Sequence, residues 1–285
     1  MAHRSTVPPR DPAGRTPPSE PQRAPDAPSS RLPADDPVIF ELDLAGLRRH
    51  WAEAMTRPAI GAEAMTGADR RAQALGVPGS RLMEHAGTAV AAAVWALAVA
   101  TERWGHGPIL ILCGPGNNGG DGFVAARRLT RLGAQVIVAF VASEARPKGE
   151  FAGPNWDRLE GEPRVNRVHT PVARDVAILG QHVDRASVVV DALLGTGVRG
   201  VLREPIRSAV ELIGQARAAG VPVVAVDTPT AVDLTSGEPS DPVVRADLTV
   251  TFHRPKLGLQ TKRGAVLAGR VLVAPIGIPP EADRG

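Results

Sequence analysis

Residues 110–122 read Leu110-Ile-Leu-Cys-Gly-Pro-Gly-Asn-Asn-Gly-Gly-Asp-Gly122, and a helical run follows from Phe123 to Leu132. An apolar strand entering a glycine-dense turn and then a helix is the arrangement that handles phosphate. Glycine lets the backbone come close to a ligand, and a helix N-terminus offers unpaired N–H groups to an anion. The turn contains G-x-G-x-x-G at Gly114, Gly116 and Gly119, and Glu144 follows at the distance where a dinucleotide fold places its ribose acid. That pattern leaves Asn117, Asn118 and Asp121 unexplained, because a carboxylate at a helix start competes with a pyrophosphate for the same donors. Asp121 reads either as a helix N-cap or as a contact to a ligand hydroxyl.

Working outward, short apolar runs at 108–113, 135–141, 187–194, 222–226, 248–252 and 271–275 alternate with helical patterns at 121–132, 151–159 and 204–219. Continuous Val/Ile/Leu runs are expected where both sheet faces are covered. The pattern predicts an α/β fold: a Rossmann-like, doubly wound, mostly parallel sheet with helices on both faces. Residues 86–101 carry no charge, but the run is Ala-rich and shorter than the roughly 20 residues of a membrane span, so it reads as a buried helix.

The 285 residues are 43% hydrophobic, enough for one large core. Residues 1–38, rich in Pro, Arg, Ser and Asp without apolar periodicity, read as a disordered tail before a single domain over 39–285. Aromatics make up 3% and Tyr is absent, so base-stacking platforms are not expected. The net charge of +3 comes from dispersed Arg residues, which argues against a nucleic-acid partner. Cys113 is the single cysteine, so no internal disulfide can form; with no leader pattern or membrane segment, a cytoplasmic location is expected.

Two further acids end apolar strands: Asp191 after Val188-Val-Val190, and Asp227 after Val223-Val-Ala-Val226. Ligands of open parallel sheets gather outside the carboxyl ends of the strands, so both should converge on the glycine turn. Carboxylates in such a cleft serve as general acid and base, or hold a cation. Asn118 adds an amide oxygen and Thr230 a hydroxyl, a set better suited to potassium than to zinc or copper.

Together these motifs resemble the NAD(P)H-hydrate epimerase family, named after the YjeF N-terminal domain, from about Met65 to Pro279. The resemblance rests on Gly-Val-Pro-Gly (76–79) with Leu-Met-Glu-His-Ala-Gly (82–87), Gly-Pro-Gly-Asn-Asn-Gly-Gly-Asp-Gly (114–122), Asp-Ala-Leu-Leu-Gly-Thr-Gly (191–197), Val-Asp-Thr-Pro (226–229) and Pro-Lys-Leu-Gly (255–258). It implies an isomerase of nucleotide repair, interconverting the R and S epimers of hydrated NADH and NADPH. It implies substrate contacts from Asn117, Asn118, Gly119, Gly120 and Asp121, from Gly195, Thr196, Gly197, Val198, Arg199, Gly200 and Val201, and from Asp227. It further implies one potassium ion per subunit on Asn118 and Asp191 with Thr230, a catalytic Asp191 assisted by Lys148, a homodimer, and functional coupling to a dehydratase on a separate chain.

Two positions depart from the family pattern. Pro229-Thr230-Ala231 stands where Pro-Ser-Gly is usual; Thr230 keeps the hydroxyl, but Ala is unsuited to a positive φ, which sets potassium affinity in question. His85 stands where Asn is common, and reads as a helix-packing residue. Other readings of the chain are a noncatalytic binding or scaffold module of the same fold, and a nicotinamide dehydrogenase resting on G-x-G-x-x-G alone.

Overall fold

The computed structural model describes residues 31–195 and 201–284. Within them, strands β1 (Ile109–Cys113), β2 (Val136–Phe140), β3 (Val165–His169), β4 (Val188–Ala192), β5 (Val223–Val226), β6 (Leu248–Phe252) and β7 (Arg270–Ala274) form one sheet, ordered β3-β2-β1-β4-β5-β6-β7. Every pairing is parallel, so the mostly parallel sheet expected is wholly parallel among the described residues. The strand order reverses between β1 and β4, which opens a crevice at their carboxyl ends.

The helices are α1 (Leu44–His50), α2 (Ala52–Thr56), α3 (Ala62–Ala74), α4 (Gly79–Ala100), α5 (Asn117–Arg131), α6 (Ala152–Asp157), α7 (Ala173–Gly180), α8 (Ile206–Ala218), α9 (Leu257–Gln260) and α10 (Lys262–Ala268). Successive strand side chains point to opposite faces. Ile109, Ile111 and Cys113 thus join the core built with α4 and α5, while Leu110 and Leu112 join the core built with α7 and α8. Two covered faces explain why β1 lacks polar alternation.

Helix α4 has 22 residues and is apolar enough to cross a bilayer, yet 83% of its apolar window is buried inside the fold. Its alanines leave room for α5 to pack closely alongside, and Glu84 on α4 pairs with Arg127 and Arg128 on α5.

Residues 31–38 belong to the folded unit, which corrects the boundary drawn at residue 38. Short 3-10 turns span Pro33–Asp35 and Pro37–Phe40, and the backbone N–H of Ala34 donates to Nδ1 of buried His85 at 3.1 Å. Asp36 meets His50 Nε2 at 2.8 Å. Composition concealed these ties because each is a single side-chain contact, not an apolar stripe. The rest of the expected tail, residues 1–30, lies outside the described residues. His85 packs the N-terminal segment, as a helix-packing residue does.

Candidate functional site

A cavity of about 280 Å³ lies at the carboxyl ends of β5 and β6. Helix α3 contributes Met65, Thr66, Asp69 and Gln73, α4 contributes Leu82, Met83 and Ala86, and α5 contributes Asn117, Asn118 and Asp121. Phe151, Asp227, Phe252 and Ile276 complete most of the wall, which combines apolar side chains with three carboxyl groups.

Helix α5 begins at Asn117, with Gly116 as N-cap and no side-chain cap. Asp121 therefore sits in the second turn and is not the N-cap. Only Gly114 to Gly116 form the turn; Gly119 and Gly120 are helical and buried. A Cβ on Gly119 would stand 2.0 Å from the Gly114 carbonyl oxygen, so only glycine lets the helix start this close to the end of β1. Gly120 packs beneath Met83 in the same way.

Asp227 follows β5 directly with φ 62°, a left-handed backbone for a residue with a side chain. Such strain gathers at functional sites. Its Oδ1 accepts from the Thr251 hydroxyl at 2.9 Å and lies 3.4 Å from Lys256 Nζ. Asp121 has different surroundings: burial, then the charges of Asp227 and Asp69, pushes its carboxyl well above the usual range. Burial also raises Asp69. Two carboxyl groups of one cavity thus differ in what holds them, one beside an ammonium and one beside acids.

Asp191 is wholly buried within β4 and is absent from the cavity wall. Its Oδ2 accepts from the Thr230 N–H at 2.7 Å; its Oδ1 accepts from the Thr230 hydroxyl at 2.7 Å and the Leu193 N–H at 3.2 Å. Burial pushes this carboxyl up to about 6 against the pull of those three bonds. Asp191 therefore ties the turn after β5 to the turn after β4. Lys148, expected to assist it, is exposed between β2 and α6, and no hydrogen bond or ion pair joins the two.

Asn118 Nδ2 donates to the Val226 carbonyl at 2.8 Å, which turns Oδ1 toward Gly195; a Cβ on Gly195 would stand 2.3 Å from that oxygen. Asn118 on α5, Asp191 on β4 and Thr230 in the turn after β5 are thus linked through Leu194 and Gly195, and each presents a side-chain oxygen. Among the described residues no group of three or more His, Cys, Asp and Glu side chains could hold a metal ion. A neutral amide, one carboxylate and a hydroxyl suit a large monovalent cation. Of the other expected contacts, Gly195 is half-buried and Val201 exposed, while Thr196, Gly197, Val198, Arg199 and Gly200 lie outside the described residues. Glu144, the acid of the dinucleotide pattern, is exposed beside Ser143.

The positive φ doubted for Ala231 is present, at 74°. The turn takes the left-handed backbone with a Cβ in place, a strain of about 1 kcal/mol. Ala231→Gly is expected to raise unfolding free energy by about 1 kcal/mol in urea titrations, whereas a glycine that destabilises would show the turn to be unstrained.

Sequence reading missed Lys256, Thr251 and the α3 residues Asp69 and Gln73. Lys256 stands within Pro-Lys-Leu-Gly, four residues past the end of β6, where the sequence offers no signal of a role.

Comparisons with known proteins give the family. The family described as YjeF-related protein N-terminus matches residues 79–258. A protein of Cenarchaeum symbiosum named NAD(P)H-hydrate epimerase is 36% identical over 227 residues, covering 79% of this chain and 98% of its own length. The bifunctional NAD(P)H-hydrate repair enzyme Nnr of Pyrobaculum aerophilum is 44% identical over 216 residues, covering 76% of this chain and 41% of its own. The chain thus spans about two fifths of the length of such bifunctional relatives. The crystal structure of yeast ynu0 shares the fold, with a TM-score of 0.61 at 23% identity over 76% of this chain and 87% of that one. With the glycine turn, the strand-end acids and the wholly parallel sheet in place, the chain belongs to the YjeF-related N-terminus family.

Proposed function

We propose that the protein interconverts the R and S epimers of hydrated NADH and NADPH. The observation that carries the reading is the pair Asp121 and Asp227, two carboxyl groups in one cavity whose environments set them apart. Such separation is how a site obtains an acid and a base from the same residue type.

The hydrate has a hydroxyl on a carbon beside the ring nitrogen. Asp121, held protonated, gives its proton to that hydroxyl. The C–O bond breaks as the nitrogen lone pair forms a C=N bond, and water leaves. Water then adds to the opposite face, its surplus proton passes to Asp227, and exchange between the two carboxyl groups restores the starting state. Leu82, Met83 and Phe252 keep the ring out of bulk water, and the uncapped start of α5 offers N–H groups to the pyrophosphate.

Asn118, Asp191 and Thr230 would hold potassium, whose charge would offset the buried Asp191 carboxylate. Cytoplasmic location, homodimerisation and delivery of the product epimer to a dehydratase on another chain belong to the same proposal; sedimentation of the purified protein tests the dimer. The test of activity is interconversion of purified R and S hydrated NADH, followed by chromatography that resolves the epimers. Equilibration well above the spontaneous rate supports the reading. Binding of the hydrate without equilibration would favour a binding module instead.

A further inference from the structure

We infer that Lys256 is a positioning residue: through Thr251 and by direct contact it holds Asp227 as the proton acceptor of the cavity, leaving Asp121 as the donor. The inference rests on the epimerase reading and assigns the two carboxyl groups within it.

The geometry around Nζ is the argument. Lys256 is 1% exposed, and its Nζ has three acceptors: the Thr251 hydroxyl at 2.8 Å, the Phe252 carbonyl at 2.8 Å and the Arg254 carbonyl at 3.1 Å. Three acceptors are the complement of an ammonium, which has three N–H groups to donate. A hydroxyl has one proton. Since Thr251 accepts from Lys256, its proton points to Asp227 Oδ1, at 2.9 Å. The chain from Lys256 through Thr251 to Asp227 therefore runs in one direction and ends on an oxygen that accepts. Lys256 Nζ itself stands 3.4 Å from the same oxygen. In a site this buried, an ammonium at that distance favours the carboxylate over the acid.

The charged groups around Asp227 come from three other elements. Lys256 approaches from the segment after β6 and Asp121 from α5, and Asp69 on α3 lines the same cavity and acts on Asp121. His253, directly after β6, is lowered by burial, held up by Asp283 and opposed by the Arg57 and Lys256 charges. Among the described residues, the Lys256 ammonium stands beside Asp227, whereas the charges raising Asp121 are those of Asp227 and Asp69. Burial draws the Lys256 ammonium down from its ordinary value while Asp227 pulls it back up. The lysine and Asp227 thus stabilise each other's charge, and the proton entering the cavity goes to Asp121.

The test has two arms on the full chain. In the wild type, the carboxyl carbons of 13C-labelled aspartates are titrated by NMR, with Asp121→Asn and Asp227→Asn assigning the signals. Asp121 is expected to take up its proton at higher pH than Asp227; the reverse order overturns the inference whether or not the protein epimerises anything. In the second arm, pH–rate profiles are compared for wild type, Lys256→Met, Thr251→Val and Thr251→Ser. Lys256→Met is expected to move the acidic limb upward by about one pH unit, so that kcat below it falls about tenfold while KM changes little. Thr251→Val should move the limb in the same direction and Thr251→Ser should restore it. If Lys256→Met does not fold, the Thr251 pair and the wild-type titration decide. A rate loss equal at every pH would reduce Lys256 to a packing residue, whereas a wild type that titrates as expected but does not epimerise would overturn the function and leave the positioning intact.

Discussion

Asp121→Asn is expected to slow epimerisation by about 10²–10³-fold and, at neutral pH, to make the protein harder to unfold. Both effects have one cause. The carboxyl is buried beside two other acids, so the folded chain keeps its proton to a higher pH than the unfolded chain does. Between the ordinary carboxylate value, about 4, and the raised folded value, unfolding releases a proton, and stability falls as pH rises through that window. Asn cannot ionise and escapes the fall. The gain should be near zero at pH 4 and reach about 1–3 kcal/mol at pH 7.5, read from urea unfolding at the two pH values. Asp69, also raised, leaves a smaller slope of the same sign in the variant. A gain independent of pH would mean that packing, not charge, separates Asn from Asp here. Exchange of stability for a reactive group is the usual bargain at an active site.

What was legible in the sequence, and what was not, follows from how local each signal is. The glycine turn, the strands on both sides of it and the acids Asp191 and Asp227 were readable because each is a short pattern whose meaning depends on its immediate neighbours. The start of α5 was placed four residues late because Gly119 and Gly120 are poor helix formers; the close approach to the Gly114 carbonyl, a tertiary fact, overrides that propensity. Strand β3 escaped notice because it is an edge strand with Asn166 and Arg167 among its five residues. Lys256 was hidden most completely. In a list of residues it resembles any loop lysine, and only the placement of β6 beside β5 brings it beneath Asp227. Asp69 likewise gains meaning only when α3 is laid over the strand ends.

Asp191→Ala is expected to cost about 3–5 kcal/mol, enough to lower the melting temperature by on the order of 10 °C. The carboxylate accepts from two backbone N–H groups and one hydroxyl with no access to water, so its removal leaves buried donors without partners. Against this stands the relief of a buried carboxylate pushed up to about 6. The unpaired donors outweigh that relief because they remain in the dry site after the charge has gone. In wild type, potassium but not choline should raise the melting temperature, and neither Asp191→Ala nor Asp191→Asn should respond. A variant melting within a degree of wild type would show that the turn at Thr230 is held by something else. Activity then separates the roles of the acids. The turn that Asp191 anchors begins at Asp227, so its loss should raise KM and lower kcat together, and cooling the assay well below the lowered melting temperature should recover part of the rate. Asp227→Asn leaves that anchor in place and should lose kcat with no recovery on cooling. The same site thus loses activity in two distinguishable ways, one through the frame that holds a carboxylate and one through the carboxylate itself.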